Sequence, residues 1–170
     1  MRSNSAVADS EARTEIVVRQ ACHGDCESVG RFLVGLSPEN RYQRFLSSGV
    51  GYVSPALIRG MVTVTPSRLA LLALDGDTVV GHVMAARAGE HTVDVGIVVA
   101  EAYRCRGIGR RLVHEMADSI GAFGATELRC DVLSENYFVL GWLRRSLSDI
   151  RVERSGETTT VHGSLIAHAT

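Results

Sequence analysis

The chain has 170 residues, 45% of them apolar and 22% charged, which suits one domain whose core needs no disulfide or metal staple. A formal charge of −1 excludes a broad basic surface of the kind that binds nucleic acid or an anionic membrane, so any polyanion site must be local. All 18 basic residues are arginine, so the protein has no lysine side chain of its own to acylate.

In chain order, residues 1–13 are rich in Ser, Ala and charge and read as a disordered tail ahead of one domain over residues 14–168. The tail lacks the apolar stretch of a secretory signal. The longest apolar run, residues 69–74, is far short of a bilayer span, so a cytoplasmic location is the default expectation. Residues 16–18 read as a short strand. Cys22 and Cys26, with His23 between them, lack the second ligand pair of a zinc site, and no metal is expected. Residues 25–36 carry Val29, Phe32, Leu33 and Leu36 at helical spacing. Ser37-Pro38 and Ser54-Pro55 each set a capping residue before a proline at the first helical position, which predicts helices over 38–46 and 55–62. Residues 69–74 and 78–86 are strand-like runs joined by a hairpin turn at Asp75-Gly76, and 92–99 is a further strand. The clearest helix is 109–121, preceded by Ile108, with Leu112, Val113, Met116, Ala117 and Ile120 on one face and Arg110, Arg111, His114, Glu115 and Asp118 off it. A strand over 126–132, a helix over 135–145 and strands over 150–152 and 158–166 close the chain. Cys130 falls in an apolar run and reads as a small core residue. The order predicts a mixed α/β sheet with one crossover helix between neighbouring strands.

The informative segment lies between the strand 92–99 and the helix that follows. A loop ending in Gly107-Ile108-Gly109 opens directly into the helix. Backbone N–H groups at a helix start are unpaired, and with the helix dipole they attract an anion. Arg104, Arg106, Arg110 and Arg111 add positive charge around them, which makes a phosphate cradle in an otherwise neutral chain. A Walker loop needs Gly-Lys-Ser/Thr, and there is no lysine. A dinucleotide fingerprint needs a third glycine where Leu112 stands; Asp131 falls where a ribose-binding acid would, but the hairpin-rich first half does not suit a doubly wound sheet.

Arg104-Cys105-Arg106-Gly107-Ile108-Gly109 matches the Arg/Gln-x-x-Gly-x-Gly/Ala signature of the GCN5-related (GNAT) acetyltransferases, and the element order over residues 16–166 also resembles that family. The resemblance implies a mostly antiparallel central sheet with a splayed strand pair, flanked by helices. It implies that acetyl-CoA is the cosubstrate, with its pyrophosphate on the backbone amides of Cys105, Arg106, Gly107, Ile108, Gly109 and Arg110, flanked by Arg104. It implies that Val98 and Val99 hydrogen-bond the pantetheine arm and that Asn136 contacts it; Asn136 is equally a favoured helix cap. Leu36-Ser-Pro-Glu-Asn-Arg-Tyr-Gln-Arg-Phe45 further resembles a segment of bacterial protein lysine acetyltransferases.

The expected reaction is direct attack of a primary amine on the thioester, the acceptor being a protein lysine or a small molecule. Because a lysine amine with a pKa near ~10.4 is almost wholly protonated at neutral pH, a general base is expected. Asp94 stands where those lysine acetyltransferases carry Glu, with Glu90 and Glu101 as alternatives. Leu143 occupies the place of the family's tyrosine acid, and Leu147-Ser148 the place of its closing Gly-Phe. Tyr137 and Tyr103 remain as nearby phenols. Cys105 leaves a covalent acyl-cysteine route open. A binding module with little turnover is the rival from another class. Many members of the family dimerise; no segment here identifies an interface.

Overall fold

The computed structural model describes residues 15–46 and 52–165. The tail expected over 1–13 and the expected strand end at Ile166 lie outside them. Among the described residues five α-helices, α1 (Cys26–Gly35), α2 (Pro38–Phe45), α3 (Pro55–Val62), α4 (Ile108–Ile120) and α5 (Tyr137–Ser146), cover a seven-stranded sheet. Its strands are β1 (Ile16–Gln20), β2 (Arg68–Asp75), β3 (Thr78–Arg87), β4 (Thr92–Val99), β5 (Glu127–Leu133), β6 (Leu147–Ser155) and β7 (Thr158–Leu165). They lie in the order β1-β2-β3-β4-β5-β7-β6. Every neighbouring pair is antiparallel except β4–β5, which is parallel and joined by the crossover helix α4. No helix among the described residues is long and apolar enough to cross a membrane.

Strand β2 reads as an unbroken apolar run because both of its faces are covered. Leu69, Leu71 and Ala73 pack with Ile108, Leu112 and Met116 of α4. Ala70, Leu72 and Leu74 pack with Val29 and Leu33 of α1 and Met61 of α3. The sheet therefore has an α4/α5 face and an α1–α3 face. Helices α2 and α3 start where the Ser-Pro pairs place them: Ser37 Oγ accepts the Asn40 N–H at 3.0 Å and Ser54 Oγ accepts the Leu57 N–H at 3.1 Å. Cys130 packs against the core, and burial pushes its thiol up to about 12.

Helix α2 is tied down at three points. Arg41 Nη1 donates to the carbonyls of Leu33, Val34 and Leu36 at 3.3, 3.2 and 2.7 Å, which satisfies the C-terminal end of α1. Asn40 Nδ2 donates to the Val99 carbonyl at 3.2 Å, and Glu101 Oε1 accepts the Ser37 N–H at 3.0 Å.

Several expected boundaries shift by one or two residues, β1 for example running on to Gln20, and two shifts have a clear cause. Helix α5 begins at Tyr137, not Glu135, because Asn136 is its cap and accepts the Val139 N–H at 3.2 Å. Strand β6 runs from Leu147 to Ser155, well beyond the expected 150–152. Its outer half is exposed and polar, so it carries no apolar signal; pairing with β7 through the Gly156 turn extends it.

His82 on β3 is fully buried on the α1–α3 face, where Nε2–H donates to the Met61 carbonyl at 2.9 Å. Burial, with the nearby Arg44 charge, pulls the imidazole from its ordinary 6.5 down to about 4. The unfolded chain therefore takes up this proton first: the stability is complete above pH 6.5 and is lost as pH falls toward about 4, by as much as about 3 kcal/mol. Asp25 and Glu101 have folded pKa values below the usual carboxylate range, so their contributions fall away at lower pH. Urea midpoints measured across pH 4 to 7 should decline steeply in the native protein and much less in His82→Gln. An equal decline in both would refute this assignment.

Candidate active site

Strands β4 and β5 pair only over residues 92–94 against 127–129. Beyond that, β4 continues beside β3 while β5 continues beside β7, so β4 keeps an open edge. The Ala88 N–H bonds the Thr92 carbonyl at 2.9 Å and the Ala100 N–H bonds the Val80 carbonyl at 2.9 Å. Strict alternation between these ends turns the backbone groups of Asp94, Gly96 and Val98 toward β3. Those of Val95, Ile97 and Val99 face the gap. Val98, expected to meet the pantetheine arm, turns its backbone groups into the ladder with His82. The Val99 carbonyl is taken by Asn40, which leaves its N–H, with both groups of Val95 and Ile97, toward the gap.

At the far end of β4 stands the cradle. Gly107 caps α4 with φ +79°, a conformation that a Cβ disfavours, and Cys105 is also left-handed at φ +59°. No side chain caps the helix, and its first internal backbone bond is Arg111 N–H to the Gly107 carbonyl at 3.0 Å. The N–H groups of Ile108, Gly109 and Arg110 precede that bond. Arg104, Cys105, Arg106 and Arg110 are exposed around them. Arg106 lies over the Tyr103 ring at 4.9 Å, and Tyr103 donates to Asp75 at 2.7 Å. Arg111 turns away to the Ile16 carbonyl and Glu115. The open helix end and surrounding guanidiniums fit a diphosphate. Asn136 spends Oδ1 on its cap, and Nδ2 has no partner among the described residues.

On the α1–α3 face, Asp94 sits at the last paired rung, where the strands begin to part. Its two carboxylate oxygens accept from Arg129 Nε and Nη2 at 2.6 and 2.7 Å, and both side chains stay close to half exposed. A carboxylate offers about four lone-pair sites, so each oxygen retains one for a water or an amine. Two residues on, the space a Gly96 Cβ would need is filled by the Arg44 guanidinium of α2, 2.5 Å from that position. Tyr42 of α2 reaches Glu157 at 3.4 Å, bringing α2 to the β6–β7 turn. The other carboxylates lie elsewhere. Glu90 is exposed in the β3–β4 turn. Glu101, which partial burial pushes up but donation from Ser37 and Asn40 pulls down to about 2, is spent on capping α2. Asp131 accepts from Thr160 at 2.6 Å on the outside of β5. Tyr137 is exposed at the start of α5. Cys22, Cys26, Cys105 and Cys130 are free thiols, and no group of three metal-ligating side chains assembles among the described residues. Arg44, Gly96 and Arg129 were missed from sequence; a glycine in mid-strand, a sign of close approach by another group, was the available signal.

The fold recurs widely. The GNAT domain of a PAT protein from S. lividans superposes with a TM-score of 0.79 at 19% identity, over 87% of this chain and 89% of that one. A GCN5-related N-acetyltransferase from Kribbella flavida gives 0.68 at 22% identity, over 88% and 98%. PaiA N-acetyltransferase from Thermoplasma acidophilum, in complex with coenzyme A, gives 0.64 at 16% identity, over 88% and 99%. No curated protein matches the chain. These likenesses establish the architecture. The model of the Acetyltransferase (GNAT) family matches residues 40–147, more than half the chain, including α2, the splayed strands and the cradle. The chain belongs to the GNAT acetyltransferase family, and it is an acetyl-CoA-dependent N-acyltransferase.

Proposed function

We propose that this protein transfers the acetyl group of acetyl-CoA to a primary amine by direct attack, with both substrates bound in the gap between β4 and β5. The observation that carries this reading is a strand edge with unpaired backbone groups running from Asp94 to an uncapped helix start. In this reading the pyrophosphate rests on the amides of residues 105–110, with Arg104, Arg106 and Arg110 supplying counter-charge. The pantetheine arm takes up the open groups of Val95, Ile97 and Val99, and Asn136 Nδ2 reaches it from the start of α5. The thioester then lies toward the last paired rung, beside Asp94.

The neutral amine attacks the thioester carbon. A new C–N bond forms, and the oxyanion is met by a backbone N–H on the open edge of β4. The C–S bond breaks, and the thiolate leaves with the sulfur pair. Asp94 accepts the ammonium proton, directly or through a water held on its free lone pairs. The thiolate, whose thiol pKa is near ~8.5, takes its proton from solvent without a dedicated tyrosine.

Initial velocities at varied acetyl-CoA and amine should give intersecting lines. Asp94→Asn should lower kcat by about 10²–10⁴-fold, the usual size of a general-base effect, with little change in acetyl-CoA affinity. Parallel lines together with loss of activity in Cys105→Ser would point to an acyl-cysteine. The bidentate Arg129–Asp94 bridge favours a second reading, a module that binds acetyl-CoA with little turnover. That reading requires tight binding without thiol release.

A further inference from the structure

Arg44 lies against the open strand and takes no part in the reaction above. Its guanidinium lies flat against β4, with Cζ and Nη1 both 2.5 Å and Nη2 2.7 Å from the place of a Gly96 Cβ. Any larger residue at position 96 would displace it. Two of its neighbours bring no charge: the Phe45 ring lies 5.0 Å from Cζ, and buried His82 is held neutral on the adjoining strand. Among the described residues no hydrogen bond or ion pair reaches Arg44, and its Nε is shut from solvent without a partner. The nearest acid along β4, Asp94, is already claimed on both oxygens by Arg129. The five residues that follow Leu46, Ser47-Ser48-Gly49-Val50-Gly51, include no acid. Burial pulls this guanidinium from 12.5 down to about 10, and it stays charged at neutral pH.

A desolvated cation without a counter-ion is costly to a fold, and a ligand anion removes that cost. The planar fork of an arginine suits a carboxylate, which it binds through two parallel hydrogen bonds. Arg44 and Asp94 reach the same face of β4 two residues apart, about 7 Å along a strand. A molecule whose amine faces Asp94 therefore has its next few atoms beside Arg44. We propose that Arg44 binds a carboxylate of the acceptor, so that the acceptor is an amino acid or a similar small amine carrying a carboxylate a few bonds from its nitrogen. The ε-amine of a protein lysine has no carboxylate within that reach. This inference rests on the amine-acetylation reading and narrows its acceptor.

The test is thiol release from acetyl-CoA by the full chain, with the twenty L-amino acids, β-alanine and γ-aminobutyrate, each beside its carboxamide, and a lysine peptide. At least one acid should be used with kcat/KM ten-fold or more above its carboxamide. Arg44→Gln should bring that acid down to the carboxamide level, leaving the carboxamide rate and acetyl-CoA affinity unchanged. Gly96→Ala, which pushes the guanidinium off the strand, should remove the same preference. Equal use of acids and carboxamides would overturn the proposal, and that comparison needs only the native protein. So would an Arg44→Gln effect that slows both alike, or an Arg44-dependent preference for succinyl-CoA over acetyl-CoA. Acetylation of the lysine peptide alone would sink this inference and leave amine acetylation standing; no thiol release with any amine would sink both.

Discussion

Strands β4 and β5 run together for three rungs and then part. A strand in the middle of a sheet would ordinarily have both edges paired, because unpaired backbone N–H and C=O groups are costly to shelter from water. Here β4 is bound to β3 along its whole length and open on the other side over Val95, Ile97 and Val99. The gap leaves those groups without a neighbouring strand, and in the proposed reading the pantetheine arm takes them up. Asp94 and Arg129 close the last paired rung, and both are near half exposed, so the bridge contributes at most about 1 kcal/mol. Its importance is positional: it marks where the sheet divides and places a carboxylate there.

The other wall of the gap depends on one short helix. The eight residues of α2 reach the end of α1 through Arg41, the end of β4 through Asn40, and the loop before the cradle through the Ser37–Glu101 bond. Helix α2 is thus fixed both to the open strand and to the loop that leads into α4. Arg44 on the same helix crosses onto Gly96. Charge on this face is then divided: Asp94 is paired with Arg129, and Arg44 has no ion-pair partner among the described residues.

The helix starts and the glycine loop were legible in the sequence because their signals are local. The Arg104–Gly109 loop, the apolar stripe of α4 and the Ser-Pro caps of α2 and α3 each lie within a few residues, and each depends on backbone rules that apply without tertiary contacts. The cleft was less legible. Arg129 is 35 residues from Asp94, and their pairing depends on the parallel register of two strands. Which of Val98 and Val99 faces the gap depends on a one-residue phase, which a pattern of consecutive valines cannot fix. The length of β6 was hidden for a related reason: an exposed edge strand alternates little, and its partner sets its extent.

The direct test of the cradle is thermal unfolding of the native protein and of Gly107→Glu, each with and without acetyl-CoA. A carboxylate at position 107 would set a negative charge at the proposed diphosphate site and would strain a backbone held at φ +79°. At a hundredfold excess over its dissociation constant the ligand contributes about 2.7 kcal/mol, which for a chain of this size raises Tm by roughly 5–10 °C. The native protein should show that rise, and Gly107→Glu should lose most of it. No rise in the native protein at millimolar acetyl-CoA, or an undiminished rise in the variant, would contradict a coenzyme A site at the start of α4.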